Sequence, residues 1–278
     1  MNVKKGIDVS AWQGEIDWEQ VKADGIDFAM LRAGSGDGSI DGQFYRNISA
    51  CNRLGIPCGV YWFSYAYTED MAVREARHCA AACKQFRITY PVAFDFEYDS
   101  LDYARKQGVT VDQALASGLA RAFLREVRAA GYTPMLYTNP DFLAHYYDGA
   151  LSETFPVWLA RYPAVPPAPE PRPAGAAIWQ WGTGTVAGVS GKVDMDYGYT
   201  DYDETGEGEK EEENVSRYNT VAELPDWAKP TILKLIGRKA IQGNGAPPDA
   251  DGNPTDMDLT LDMVRMFVIN DRAGAYGE

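Results

Sequence analysis

Histidine is nearly missing from this sequence. Its 278 residues hold two, His78 and His145, far apart in the chain. No H-E-x-x-H occurs. The four cysteines (Cys51, Cys58, Cys79 and Cys83) make no C-x-x-C pair, so a His/Cys zinc site is disfavoured. A Ser-His-Asp triad would have to draw on one of the two histidines, and no G-x-S-x-G elbow is present. Long apolar runs are absent too. No stretch reaches the ~18 residues of a transmembrane helix. The opening M-N-V-K-K-G-I-D-V-S-A-W carries two lysines without a following apolar run, which predicts no signal peptide. Basic residues are in short supply, 26 Lys and Arg against 40 Asp and Glu, for a formal net charge of −14. That balance argues against nucleic acid held through its phosphates and against insertion into or adhesion to an anionic membrane. Four cysteines do not force a disulfide framework. Cys79 and Cys83, spaced i, i+4 on a predicted helix, read as buried free thiols.

What remains is a chain rich enough in apolar and aromatic residues, 45% and 12%, to exclude global disorder. Its length predicts one large domain with a small one, or two of medium size. The acid excess is uneven. Half of it sits in 201–214 (DYDETGEGEKEEEN), which holds eight carboxylates and one lysine. This stretch lacks apolar periodicity and reads as an extended acidic linker between a domain at 1–200 and a small α-rich module at 215–278.

Up to residue 200, short apolar runs alternate with longer amphipathic ones. Eight strands are predicted: Lys5–Ser10, Phe28–Ala33, Cys58–Tyr65, Val92–Glu97, Pro134–Thr138, Val157–Arg161, Ala177–Trp181 and Val193–Tyr199. Helices are predicted at Asp17–Asp24, Gly42–Leu54, Thr68–Phe86, Thr110–Ala130 and Pro140–Tyr146. Strand–helix alternation means an α/β barrel or a doubly wound sheet. The count of eight favours a barrel, and no G-x-G-x-x-G follows the first strand. Residues 163–176 (PAVPPAPEPRPAGA) cannot be helical, so the ring of helices should be incomplete after the fifth strand.

In such folds chemistry gathers at the carboxyl ends of the strands. The fourth strand reads V-A-F-D-F-E, where Asp95 and Glu97 are i, i+2 and share a face. Adjacent carboxyls resist joint ionisation, which suits an acid catalyst beside a charged stabiliser. Asp8 on the first strand and Asp194 on the eighth would join them if the eighth closes beside the first. Repulsion among the four should raise the pKa of Glu97. Aromatic residues in or just past the strands, Trp12, Tyr61, Phe63, Tyr65, Tyr137, Trp158, Trp179 and Trp181, would suit a carbohydrate, whose C–H faces pack on rings. Packing alone would also employ them.

The ordered motifs G-I-D-V-S-x-W-Q-G, R-A-G-S-G, Y-W-F-S-Y-A, F-D-F-E, L-Y-T-N, W-L-A-R-Y, W-Q-W-G and V-D-M-D resemble those of the glycoside hydrolase family 25 lysozymes over residues 3–200. The resemblance implies a flattened, incomplete (β/α)8 barrel. It would cut the β-1,4 bond between N-acetylmuramic acid and N-acetylglucosamine in bacterial peptidoglycan, with no cofactor and no metal. It implies Glu97 as general acid/base and Asp95 as its companion, orienting the substrate acetamido group or attacking directly. Asp8 and Asp194 are the other pocket acids, and Tyr61, Phe63, Tyr65, Tyr137, Trp158, Gln180 and Trp181 bind substrate. One departure is Trp62, where the family often has His. A leaderless muramidase reads as a phage endolysin freed by a holin, with an exported autolysin as the alternative. A chitinase-like hydrolase and a wall-binding protein with a dead barrel are the competing functions.

Residues 215–278 resemble, more loosely, the helix–loop–helix modules of clostridial-type wall hydrolases and an S-layer homology repeat. Helices are predicted at Pro225–Ile236 and Leu259–Asp271, the first with a stripe through Trp227, Ile232, Leu235 and Ile236. The module would bind a secondary wall polymer, form a homodimer or serve as a passive cap. Its D-A-D-G-N-P-T-D-M-D stretch is like a calcium loop only superficially. Pro254 stands at the glycine position and Thr260 at the twelfth.

Overall fold

The computed structural model describes residues 3–202, 218–242 and 246–257, with 259, 263, 264, 267, 268 and 271. The chain divides into two compact units, Met1–Gly208 and Glu209–Glu278.

The first unit is an α/β barrel. Its elements run β1 (Lys4–Val9), a 3₁₀ turn (Ala11–Gln13), α1 (Trp18–Ala23), β2 (Phe28–Ser35), β3 (Ser39–Ile40), α2 (Phe44–Leu54), β4 (Cys58–Phe63), α3 (Glu69–Cys83) and β5 (Val92–Asp95). They continue α4 (Tyr98–Lys106), α5 (Gln113–Ala129), β6 (Pro134–Thr138), α6 (Pro140–His145), α7 (Gly149–Thr154), β7 (Val157–Ala160), β8 (Ala176–Gly184) and β9 (Val193–Gly198). The strand order is β1-β9-β8-β7-β6-β5-β4-β2-β3, and pairing of β1 with β2 closes eight strands into a ring, with β3 a hairpin appendix on β2. Seven strands of the ring are parallel. The eighth, β9, is antiparallel to both β8 and β1. Its first residues therefore lie at the end where the other strands finish.

Period-two alternation sorts the strand residues into two layers. Phe28, Met30, Ala93, Met135, Trp158 and Ile178 fill the barrel interior, and Phe28 stacks on Tyr90 at 4.5 Å. Gly6 leaves room for that ring, since a Cβ there would stand 2.3 Å from Phe28. Outward-facing Val60, Trp62, Val92, Phe94 and Leu136 meet the helices, including Phe123 of α5. Trp62, at the departure from the family pattern, is fully buried on this outer side and donates through Nε1 to Gly36 O at 3.0 Å.

No helix follows β7 or β8 among the described residues. The outer surface there, formed by Val157, Leu159, Ala176, Trp179 and Tyr199, is covered otherwise. The proline-rich segment passes over it, with Tyr197 and Tyr199 donating to Pro167 O and Pro169 O at 3.2 and 2.7 Å.

Several sequence expectations need correction. β5 ends at Asp95, so Glu97 is not a strand residue but the N-cap of α4. α4 and α7 were not foreseen, nor was β3. In the second unit the helix begins at Lys229 rather than Pro225 (α8, Lys229–Gly237), and Trp227 is 45% exposed instead of lying on the buried stripe. Pro230 in the first turn of α8 fits the helix start. Leu259 forms a bridge with Tyr218 rather than opening a helix. The rest of the expected Leu259–Asp271 helix lies partly outside the described residues, as does the expected linker from residue 203 onward. This unit buries Leu224, Ala228, Ile232, Met257, Val264 and Val268 together, and Asp271 accepts from Thr231 Oγ1 and Lys234 Nζ at 2.7 and 2.9 Å.

Candidate active site

Strand ends at the carboxyl side of the barrel ring a cleft of ≈ 380 Å³. Each strand of the ring places an inward side chain there: Asp8 from β1, Arg32 from β2, Tyr61 and Phe63 from β4, Asp95 from β5, Tyr137 from β6, Trp158 from β7, Gln180 from β8 and Asp194 from β9. The register accounts for the gathering. Arg32 pairs with Tyr61, Phe63 with Asp95, Asp95 with Tyr137, Tyr137 with Trp158, and Asp8 with Asp194. Because β9 runs backwards, Asp194 at its start meets the ends of the others.

All four expected carboxylates line this cleft. Glu97 is half-buried at the mouth, where Ser100 Oγ accepts its backbone N–H at 3.1 Å and so pins the helix start. Asp95 lies deeper, 4% exposed, with Oδ1 lacking a hydrogen-bond partner. The two carboxyls are within hydrogen-bonding reach of each other. Burial, then the charge of Glu97, holds Asp95 well above the ordinary carboxylate range, while the Arg32 guanidinium works against them. Glu97 is raised as well. Burial leads, Asp99 and Asp194 add to it, and the hydrogen bond with Asp95 pulls the other way. The expected rise of Glu97 is present and the Asp194 charge contributes to it, but repulsion is not its leading cause. Desolvation comes first, and the nearest acid opposes the rise. Asp8 and Asp194 are also raised, each chiefly by burial.

The aromatic wall is interlocked by ring contacts and hydrogen bonds. Trp158 is held edge-on between Tyr61 and Tyr137, at centroid distances of 5.8 and 4.8 Å. Gln180 Oε1 accepts from Tyr137 Oη at 2.9 Å and from Tyr162 Oη at 2.5 Å, while its Nε2 donates to Asp8 Oδ2 at 2.7 Å. Two expected residues are not brought here. Trp181 follows Gln180 on β8 and so turns outward, stacking on Tyr197 at 5.6 Å. Tyr65 lies beyond the end of β4 and packs between Phe63 and Tyr103, each at 5.1 Å.

Three contributors, Arg32, Tyr162 and Asp196, were missed, and Trp12 was read only as one of the aromatics just past a strand. Arg32 stands over the Phe63 ring at 5.4 Å. Trp12 lines the cleft at its rim while 85% exposed, on the 3₁₀ turn that Ser10 and Gln13 cap reciprocally. Tyr162 follows β7, and Asp196 lies fully buried beneath Asp8. Period two from Asp194 would have found Asp196. Arg32 was visible as a charge inside an apolar strand. No group of three or more His, Cys, Asp or Glu residues among those described is arranged to hold a metal ion.

A closed barrel whose carboxyl end carries a carboxyl pair in an aromatic cleft has the architecture of the barrel glycosidases. The chain belongs to glycosyl hydrolases family 25, whose family model matches residues 7–189. Lysozyme M1 of Streptomyces globisporus is 42% identical over 60 residues, 22% of this chain and 20% of that protein. Among solved structures, the modular autolysin LytC of Streptococcus pneumoniae, in complex with a synthetic peptidoglycan ligand, matches with a TM-score of 0.62 and 26% identity. That match covers 71% of this chain and 47% of LytC, so the chain spans about half of LytC and a fifth of lysozyme M1. The CTP1L endolysin has a similar fold over both units, with a TM-score of 0.60, 18% identity, and coverage of 98% of this chain and 99% of that one.

Proposed function

We propose that this chain hydrolyses the β-1,4 bond between N-acetylmuramic acid and N-acetylglucosamine in bacterial peptidoglycan. Glu97 gives its proton to the glycosidic oxygen and then activates water. Asp95, ionised by passing its proton across to Glu97, orients the 2-acetamido group and stabilises the positive charge that develops as the acetamido oxygen attacks the anomeric carbon. The contact between the two carboxyls carries this reading. A carboxylate attacking from the opposite face of the sugar would stand ~5–5.5 Å from the acid, and an inverting pair farther still. Neighbouring carboxyls of β5 and the α4 cap approach from one side. The exposed face of Trp12 and the edges of Tyr61 and Trp158 supply apolar surface for sugar C–H faces, while Gln180 and the tyrosyl hydroxyls supply partners for sugar oxygens. A peptidoglycan ligand bound to LytC supports the substrate class.

The test is release of reducing ends from purified peptidoglycan and from chitin oligomers. Reducing ends at muramic acid are expected from peptidoglycan, with much slower cleavage of chitin. Glu97→Gln should lower kcat by about 10²–10⁴-fold, the range for a positioned acid–base group. Full activity in that variant, or equal turnover of both glycans, would refute the assignment.

A further inference from the structure

Asp196 is fully buried, and it does not line the cleft. Its Oδ1 accepts from Trp158 Nε1 at 2.8 Å. Its Oδ2 is enclosed with no hydrogen-bond partner. The Asp8 carboxyl of the paired strand β1 lies within hydrogen-bonding reach of the Asp196 carboxyl, and Asp8 Oδ2 accepts from Gln180 Nε2 at 2.7 Å. The donors at both ends of this chain are obligate. An indole N–H and an amide NH₂ can only donate, and each points its hydrogen away from the contact between the two carboxyls. That contact therefore has no hydrogen unless one carboxyl keeps its proton. Two adjacent buried carboxylates, both ionised, would bear desolvation and repulsion together.

We propose that Asp8 and Asp196 share one proton across the β1–β9 ladder, and that Asp196 is thereby a positioning residue for the cleft wall. With the proton in place, Asp8 accepts from Gln180 Nε2 in a single orientation. Gln180 must then present Oε1 to Tyr137 and Tyr162, which fixes both hydroxyls where they face the cleft. The proposal rests on the cleft being the glycan site, but its stability readout does not.

The surrounding groups make the proton's loss a distinct event. Asp194 faces the pair from β9, Asp95 from β5 and Tyr61 from β4, while Tyr137 and Tyr162 stand beyond Gln180. Arg32, the cation of the cleft, acts on Asp95 and Tyr61. Burial pushes Asp196 up to about 8, with the Asp194 charge adding and the Trp158 hydrogen bond working against it. An acid raised on folding costs nothing below its unfolded pKa. Its burden grows as pH climbs to the folded value.

Asp196→Asn in the full chain tests this. The amide keeps an acceptor for Trp158 Nε1 and puts a permanent hydrogen towards Asp8. The melting temperatures of variant and wild type should coincide near pH ~4 and diverge by several degrees by pH ~9, the variant being the more stable. Wild-type KM for soluble glycan should rise about tenfold for each pH unit beyond the loss of the shared proton, while that of the variant stays flat. The kcat profile should be common to both. A melting difference independent of pH, or superimposable KM profiles, would overturn the proposal. If the asparagine variant does not fold, ¹³C-labelled aspartate in the Asp95→Asn background gives the answer. Two carboxyl resonances moving together in one step above neutrality support a shared proton, and titration of every aspartate below neutrality refutes it.

Discussion

At the residue scale the cleft is a problem of too much negative charge. Asp8, Asp95, Glu97, Asp194 and Asp196 are all shifted towards the neutral form, with burial as the leading cause in each. Arg32 is the counterweight closest to the reacting pair. It lowers Asp95, and its guanidinium stands over the Phe63 ring at 5.4 Å. Replacing Arg32 with Met keeps the apolar stem and deletes the charge. Asp95 should then hold its proton to higher pH, so the acid limb of kcat/KM moves up by about one unit, roughly 1.4 kcal/mol. Lys should restore part of the shift without the planar stacking. An unmoved acid limb in the Met variant would mean that Asp95 is not the group whose ionisation the reaction needs. The four line-up carboxylates were legible from V-A-F-D-F-E, G-I-D-V-S and V-D-M-D because period two and strand ends are properties of local sequence. The approach of a fifth acid, Asp196, to Asp8 was not, because it depends on β9 running antiparallel to β1. Trp181 was misplaced for the opposite reason. Gln180 and Trp181 are neighbours on β8, and alternation sends them to opposite faces, Gln180 to Asp8 and Trp181 to Tyr197.

At the element scale the eight strands of the ring were readable to within a few residues, since apolar runs between turn signals mark buried parallel strands. α4 and α7 were not, because their buried stripes are thin. Leu101 and Ala104 with Ser100 in α4, and Leu151 alone in α7, give no period to detect. α3 was readable, and its start at Thr68 is a side-chain cap in which Thr68 Oγ1 accepts Met71 N–H at 3.3 Å. That helix also carries Glu75, 1% exposed, whose Oε1 accepts the Tyr65 backbone N–H at 3.0 Å and whose Oε2 has no partner. Glu75 thereby ties the segment after β4 to α3. Burial pushes it to about 7, against hydrogen bonds from Ser64 and Tyr65. Its folded value exceeds the unfolded one, so the cost is absent below pH ~4.5, accumulates up to about 7 and is constant beyond, on the order of 3 kcal/mol. Glu75→Gln keeps the acceptor for Tyr65 and removes that cost. Urea denaturation should find the two proteins equally stable near pH ~4.5, and the variant more stable by a fixed margin above neutrality. A margin that keeps growing past pH ~8 would point to another group.

At the scale of the whole molecule, the net charge of −14 has two different meanings. Seven of those charges lie in 201–214, a stretch that straddles the boundary of the two compact units. The second unit is an independent apolar cluster around α8, with Trp227 and Leu233 exposed at 45% and 43%. We propose that it holds the chain on the wall, so that cleavage there proceeds at a raised local concentration of glycan. A chain ending at residue 208 should then cleave soluble glycan fragments at nearly the full-length rate and lose about tenfold or more on intact walls. A polymer that carries free carboxylates repels an acidic protein, and salt screens exposed charges over ~8–10 Å. Adding salt from ~0.01 to ~0.15 M should therefore strengthen binding of the full chain to walls and raise its rate there, the reverse of what a cationic wall hydrolase would do. Cosedimentation of full-length and shortened chains with walls over that range measures both effects. Equal cosedimentation of the two chains would show that the barrel alone holds the wall, and binding by the full chain that weakens as salt is added would show that cationic patches, not apolar and hydrogen-bonding contacts, do the holding.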